Sequence, residues 1–163
     1  MIYPYQVEPL QGAQLVQAYP IVQTIRPSID LGEWRGRLDD LCGDAAAASA
    51  ECGAMGLLGP QGYIYGFYTY WAHRCLGLGR TLDVKDFCVA APANRRQASA
   101  QLLNSTEDLA RLHACRALNI SFLVDEQWHA DEHEWHEGLH EARTFSLEAA
   151  FIPAPPSVMK LID

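Results

Sequence analysis

The stretch from Arg80 to Leu103 has the residue types and the order of an anion-binding site. Its first part alternates like a strand, and the alternation then slips by one residue, with two apolar residues on each parity: Leu82 and Val84, then Phe87 and Val89. A β-bulge produces such a slip, and bulges are common beside active sites because they redirect backbone groups. The sequence therefore predicts a bulged strand near Lys85 and Asp86.

A turn at Ala91-Pro92 and a run of helix-forming residues from Gln97 come directly after this strand. The first amides of a helix have no partner within the helix, and its dipole is positive at that end. A strand, a tight loop and a helix start in succession therefore predict a site that attracts anions such as phosphate.

The residues after the strand resemble the CoA-binding loop of the GNAT N-acyltransferases. In that family a bulged fourth strand leads into a loop of pattern Gln/Arg-x-x-Gly-x-Gly/Ala that holds the CoA pyrophosphate. Here the pattern falls on six consecutive residues: Arg95, Arg96, Gln97, Ala98, Ser99 and Ala100. Ala98 stands where the family has its first glycine, and Val89-x-x-Pro92 is one residue longer than the family's Val-x-Pro. An ordinary strand-turn-helix unit with two surface arginines is the alternative that the residues leave open.

The resemblance implies that acetyl-CoA, or another acyl-CoA, binds these six residues and lies along the backbone of Phe87, Cys88 and Val89. It further implies that an amine attacks the thioester directly, without a covalent enzyme intermediate. We expect Asp86 or Asp83 to deprotonate the amine, although either can equally be a solvated strand residue. In the family a tyrosine of a later helix protonates the leaving thiolate, and no tyrosine follows Tyr70 here. The resemblance places His136 roughly at that position and so implies that its imidazole is the general acid.

A stripe of four histidines between Asp125 and Arg143 is the second group of residues that could do chemistry. Their spacing of four, three and four places them on one side of a helix: His129, His133, His136 and His140. His136-Glu137-Gly138-Leu139-His140 matches the zinc-hydrolase pattern H-E-x-x-H. Gly138 weakens the helix that this pattern needs, and few residues remain for a third ligand, so we predict no catalytic metal here. A zinc metallohydrolase, adventitious metal binding and a merely solvated acidic helix face are the alternatives.

The elements that must position these residues alternate in a recognisable order. Periodicity predicts a short strand over 5–10, a helix from Gln11 divided at Pro20, and a second helix that Asp30 caps. A hairpin with a turn at 59–62 and a second connection over 72–79 lead into the bulged strand. The following ranges are then predicted in order: a helix over 95–118 that can break at 104–108, a parallel strand over 119–124, a strand over 144–152 and a last strand or tail over 158–162.

Composition limits the classes of protein that fit. A chain of 163 residues with 49% hydrophobic residues has the length of one domain, which we take to span 1–163. Its formal charge of −8 disfavours nucleic acid or an anionic membrane as the main partner. Five cysteines without a Cys-x-x-Cys pair indicate reduced thiols. No signal peptide or apolar span is evident, so we expect a cytoplasmic location.

The predicted fold class is α/β (α+β): a GNAT-like mixed, mostly antiparallel central sheet with a bulged fourth strand and flanking helices. The predicted function is transfer of an acetyl or acyl group from acyl-CoA to a small-molecule or peptide amine, and a homodimer is left open. The alternative from another class is a GNAT-shaped protein that has lost transfer activity and binds a ligand or partner.

Overall fold

A computed structural model of the chain describes residues 5–42, 51–122, 143–147 and 159–161. The helices in these ranges are α1 Ala13–Gln17, α2 Tyr19–Ile25, α3 Leu31–Cys42 and α4 Arg95–Leu112. The strands are β1 Gln6–Leu10, β2 Cys52–Leu58, β3 Ile64–Cys75, β4 Gly79–Val89, β5 Ala117–Phe122, β6 Arg143–Leu147 and β7 Met159–Leu161. Within these ranges, no helix has the length and apolar character needed to cross a membrane.

The described strands form one sheet in which β1 to β7 lie in sequence order. Every neighbouring pair is antiparallel except β4 and β5, which are parallel. Helix α4 supplies the crossover that a parallel pair requires. The predicted fold class, a mixed and mostly antiparallel sheet with flanking helices, is confirmed.

Two hydrophobic cores lie on opposite faces of this sheet. Consecutive residues of β3 point to different faces, and Phe67 belongs to one core while Tyr68 belongs to the other. Tyr68 packs with Leu102 of α4, whereas Phe67 packs with Val22 of α2 and Trp34 of α3. Helix α4 therefore covers one face of the sheet, and the N-terminal helices cover part of the other.

The bulge predicted in β4 is confirmed at Lys85–Phe87. The register of β4 shifts there against β3 and against β5, and Asp86 has a positive φ of 57°. The extra residue restores the side-chain direction, so that all four apolar residues of the slipped pattern enter the core under α4: Leu82, Val84, Phe87 and Val89.

The predicted helix boundaries at Pro20 and Asp30 are also confirmed. Pro20 lies in the first turn of α2, directly after the chain leaves α1, where its missing N–H is not needed. The Oδ1 of Asp30 accepts a hydrogen bond of 2.7 Å from the backbone N–H of Glu33, which caps α3.

Helix α4 differs from its prediction in two respects: it is continuous through 104–108, and it ends earlier. It does not break at 104–108, because the hydroxyls of Ser105 and Thr106 donate to carbonyls one turn back, those of Leu102 and Leu103. It ends at Leu112 and not at Leu118. Ala114 takes a left-handed φ of 53° after the helix, and the bonds from Ala114 N–H to Arg111 and from Cys115 N–H to Ala110 complete a Schellman motif.

Strand β3 is longer than predicted. Residues 72–75, expected in a connection, continue the strand, since Ala72 pairs with Leu82 and Cys75 with Gly79. The turn itself is confined to 76–78. Strand β5 begins at Ala117 and pairs in parallel with β4, as predicted. Residues 148–152, predicted to continue the strand that begins at Arg143, lie outside the described residues.

Candidate functional site

Asp86 lies at the bulge and is held there by side chains from two other elements. Arg37 of α3 donates from Nε to Oδ2 at 3.0 Å and from Nη2 to Oδ1 at 2.7 Å, a bidentate pair. The Thr69 hydroxyl of β3 donates to Oδ2 at 3.0 Å. Asp86 is only 7% exposed, so its buried charge is compensated by these donors. Its left-handed backbone is one that Asp tolerates better than most residues.

These contacts bear on the predicted role of Asp86 as the base. Both carboxylate oxygens already accept hydrogen bonds from Arg37, so an amine would have to compete with that side chain for them. The arrangement favours a positioning role, in which the carboxylate holds Arg37 and the bulge in place. The base role stays a prediction that needs a kinetic test.

The residues after the bulge form a closely packed strand end. Phe87, Cys88 and Val89 are all buried, and Phe87 stacks on Tyr68 with ring centroids 6.1 Å apart. Burial raises the pKa of the Cys88 thiol well above its ordinary value, so this cysteine is not an activated nucleophile. On the neighbouring strand, a Cβ at Gly66 would lie 2.8 Å from the Cys88 carbonyl oxygen, so only glycine fits beside this segment.

The helix start that was predicted to be an anion site is the first turn of α4. Its N-cap, Asn94, is left-handed and makes no side-chain capping bond. Arg96 and Gln97 are exposed, while Ala98 and Ser99 are buried. The Ser99 hydroxyl has no hydrogen-bond partner among the described residues.

Two long-range hydrogen bonds fix the loop before α4. Tyr5 donates from its hydroxyl to the Ala93 carbonyl at 3.3 Å, and Gln101 donates from Nε2 to the Tyr5 carbonyl at 2.6 Å. Because α4 and the strand end are both packed against the same core, the loop that joins them is held at each side.

A cavity of about 350 Å³ opens beside the bulge, on the sheet face opposite α4. It is lined by Val22, Arg26, Ile29, Trp34, Arg37, Lys85, Asp86 and Ser121. The cavity is not predictable from sequence patterns, because its walls come from α2, α3, β4 and β5 and the segment after α2. The only signal available was Lys85-Asp86, a charged pair inside an apolar strand.

Asp83, the second predicted base, belongs to a separate polar cluster on β3, β4 and β5. Its Oδ2 lies 2.7 Å from His73 Nε2, and Asn119 donates from Nδ2 to its Oδ1 at 2.6 Å. The His73 ring stacks on Trp71 at 4.4 Å. Asp83 precedes Asp86 by three residues, about 10 Å along a strand, so the two carboxylates belong to different clusters.

His136 and the other three histidines of the stripe lie outside the described residues, as does the H-E-x-x-H pattern. Among residues 5–42, 51–122, 143–147 and 159–161, no group of three or more potential ligands is arranged to hold a metal ion.

Solved structures with the same fold are similar to this chain only at low sequence identity. An aminoglycoside N-acetyltransferase in complex with CoA matches with a TM-score of 0.61 at 9% identity, over 86% of this chain and 89% of that one. The GCN5-related glucosamine N-acetyltransferase region of a fungal multi-domain β-N-acetylglucosaminidase matches with a TM-score of 0.60 at 9% identity, over 74% of this chain. This chain spans 14% of that protein's length.

A transcriptional regulator from Bacillus halodurans C-125 matches with a TM-score of 0.60 at 14% identity, over 85% of this chain and 96% of that one. No protein-family model matches the sequence, and no curated protein matches it. Taken together, the structural matches show that the chain has the GNAT fold, as the residues of the bulged strand and the following loop predicted.

Proposed function

We propose that the chain is an acyl-CoA-dependent N-acyltransferase. The observation that carries the proposal is the succession, within β4 and the start of α4, of a bulge at Asp86, a buried strand end and a helix start without a side-chain cap. The similarity of the fold to N-acetyltransferases, one of them in complex with CoA, supports the same function.

In this proposal the start of α4 binds the CoA pyrophosphate. The first-turn amides and the side chains of Arg95 and Arg96 provide donors and positive charge for phosphate oxygens. Ala98 replaces a glycine of the family pattern, but its methyl is fully buried in the core under α4 and so does not crowd the outer side of the helix. Ser99 adds a buried hydroxyl, which has no hydrogen-bond partner within the part of the chain that the structure describes.

The acyl group then lies along the backbone of Phe87–Val89, where an amide donor stabilises the oxyanion of the tetrahedral intermediate. The amine reacts in its neutral form, and its nitrogen forms a bond to the acyl carbon and then gives up its proton to solvent water. The C–S bond breaks, and CoA leaves as a thiolate that takes a proton. Asp86 acts here by positioning Arg37 and the bulge. His136 remains the proposed donor of the proton to the thiolate.

The first test is acetyl-CoA binding by calorimetry. Changing Arg95 and Arg96 together to glutamate should weaken binding by at least ~1–3 kcal/mol, because charge-assisted bonds to phosphate are lost and repulsion is added. The double change Arg74→Glu/Arg116→Glu is the matched control: both arginines are exposed, and the change in net charge is the same. Equal affinities for acetyl-CoA in the two double variants would refute the proposed CoA site.

A second candidate function is a GNAT-shaped module that binds a ligand or partner without transferring an acyl group. The contacts of Asp86 favour it, since the carboxylate predicted to act as the base is already bound to Arg37. A similar fold is also found in a protein described as a transcriptional regulator. Release of free CoA thiol on mixing with acetyl-CoA and a panel of amines distinguishes the two functions: a module binds acetyl-CoA but releases no thiol.

A further inference from the structure

We infer that the cavity beside the bulge binds the acceptor amine through an anionic group that the acceptor itself carries, a carboxylate or a phosphate. This inference rests on the proposed function, since it names the class of acceptor for the same reaction. It is drawn from the charge of the cavity, its apolar walls and its place next to the bulge.

The cavity is positively charged in an acidic protein. Three cations, Arg26, Arg37 and Lys85, and one carboxylate, Asp86, line it, which gives a formal charge of +2 where the whole chain carries −8. Arg37 and Asp86 neutralise each other as a bidentate pair. Arg26 and Lys85 have no ion-pair or side-chain hydrogen-bond partner within the described ranges, so their charge is available to a ligand.

The remaining walls limit the size and character of the ligand. Val22, Ile29 and Trp34 are apolar, and Trp34 is almost completely buried. A volume of about 350 Å³ lies at the small end of the range for small-molecule sites. The cavity therefore suits a compact amine that carries an apolar portion and one anionic group.

The same charges act on the amine that must react. A cation near a bound amine disfavours the protonated form and so lowers the amine's pKa. The neutral amine is the nucleophile, so Lys85 and Arg26 would assist attack on the acyl carbon, with the C–N bond forming as the C–S bond to CoA breaks. A polycationic acceptor such as spermidine would be repelled, which defines the specificity expected of this cavity.

The experiment uses pairs of amines that differ only in the anion. L-phenylalanine and its carboxamide test a carboxylate, phosphoethanolamine and ethanolamine test a phosphate, and spermidine tests a polycation. Direct binding is measured by calorimetry without acetyl-CoA, and thiol release is measured with acetyl-CoA. Arg26→Gln and Lys85→Gln remove the proposed anion partners, and Arg35→Gln on the same face of the sheet is the matched control, because Arg35 is exposed and does not line the cavity.

We expect at least one anionic member to bind tenfold or more tightly than its neutral partner. Arg26→Gln and Lys85→Gln should reduce that preference at least fivefold, and Arg35→Gln should leave it unchanged. The pair that shows the preference tells a carboxylate from a phosphate. Equal binding within both pairs, tighter binding of spermidine, or an unchanged preference in both cavity variants would overturn the inference. These probes are measured without acetyl-CoA, so their binding can be interpreted even if the proposed CoA site is refuted. Conversely, if the cavity binds none of the anionic amines selectively, the measurement of acetyl-CoA binding is unaffected.

Discussion

The ion pair between Arg37 and Asp86 should couple the stability of α3 to that of the bulge, and the size of the coupling can be worked out from the structure. Arg37→Gln would leave a carboxylate that is 7% exposed with Thr69 as its remaining side-chain donor among the described residues. Removing one member of a fully buried pair costs about 3–5 kcal/mol. The Arg37 side chain is 49% exposed, so water would reach part of the site, and we expect a loss of ~1–3 kcal/mol.

Urea unfolding of wild-type protein, Arg37→Gln, Asp86→Asn and the double variant measures this coupling. Asn is chosen because it tolerates the left-handed backbone of Asp86, so that the variant removes charge without adding strain. The coupling energy should be about 1–2 kcal/mol. In a thermal melt, each single variant should unfold at a temperature roughly 2–10 °C lower. Arg35→Gln, two residues away on α3 and exposed, should unfold like wild type. Single effects below about 0.5 kcal/mol that simply add would show that the pair does not hold the bulge.

Three other outcomes are expected. Ala98→Gly should lower stability by about 1 kcal/mol and leave acetyl-CoA affinity unchanged, because the methyl lies in the core, whereas tighter binding would show that it limits the approach of phosphate. Burial and, to a smaller extent, the nearby Arg80 lower the pKa of His113, so the unfolded chain takes up a proton before the folded chain does as pH falls below about 6.5. The free energy of unfolding should therefore decline as pH falls through this range. His113→Gln should reduce the slope of unfolding free energy against pH, and an unchanged slope would argue against the shift. Untagged protein dialysed against a mild chelator should retain no stoichiometric zinc by elemental analysis, and one tightly held zinc per chain, lost in His136→Ala together with peptide hydrolysis, would replace the acyltransferase proposal with a zinc hydrolase.

Sequence patterns predicted those features of the fold that depend on residues close together in the chain. The slip in parity within β4 identified the bulge because a strand's side chains alternate strictly, and one extra residue is visible in the order of apolar residues. Pro20 and Asp30 marked helix boundaries because their effects act within one turn. The helix predicted over 95–118 was long enough to serve as the crossover that a parallel pair needs, and β4 and β5 do pair in parallel.

The features that the sequence did not predict depend on contacts between distant residues. Arg37 and Asp86 are 49 positions apart, and the cap and periodicity that predicted α3 carry no information about distant partners, so nothing in the sequence paired them. The end of α4 was missed because its left-handed position is Ala114, where glycine is the usual signal.

The extra residue at the bulge is not needed for the hydrophobic pattern of β4. If Asp86 were deleted, the apolar residues on either side would regain the parity of a regular strand, and the same four side chains would still enter the core under α4. A shorter β4 would thus satisfy the hydrophobic pattern, without a left-handed residue and without a buried carboxylate to compensate. The extra residue therefore serves the cavity and its ion pair, and not the hydrophobic pattern of the sheet.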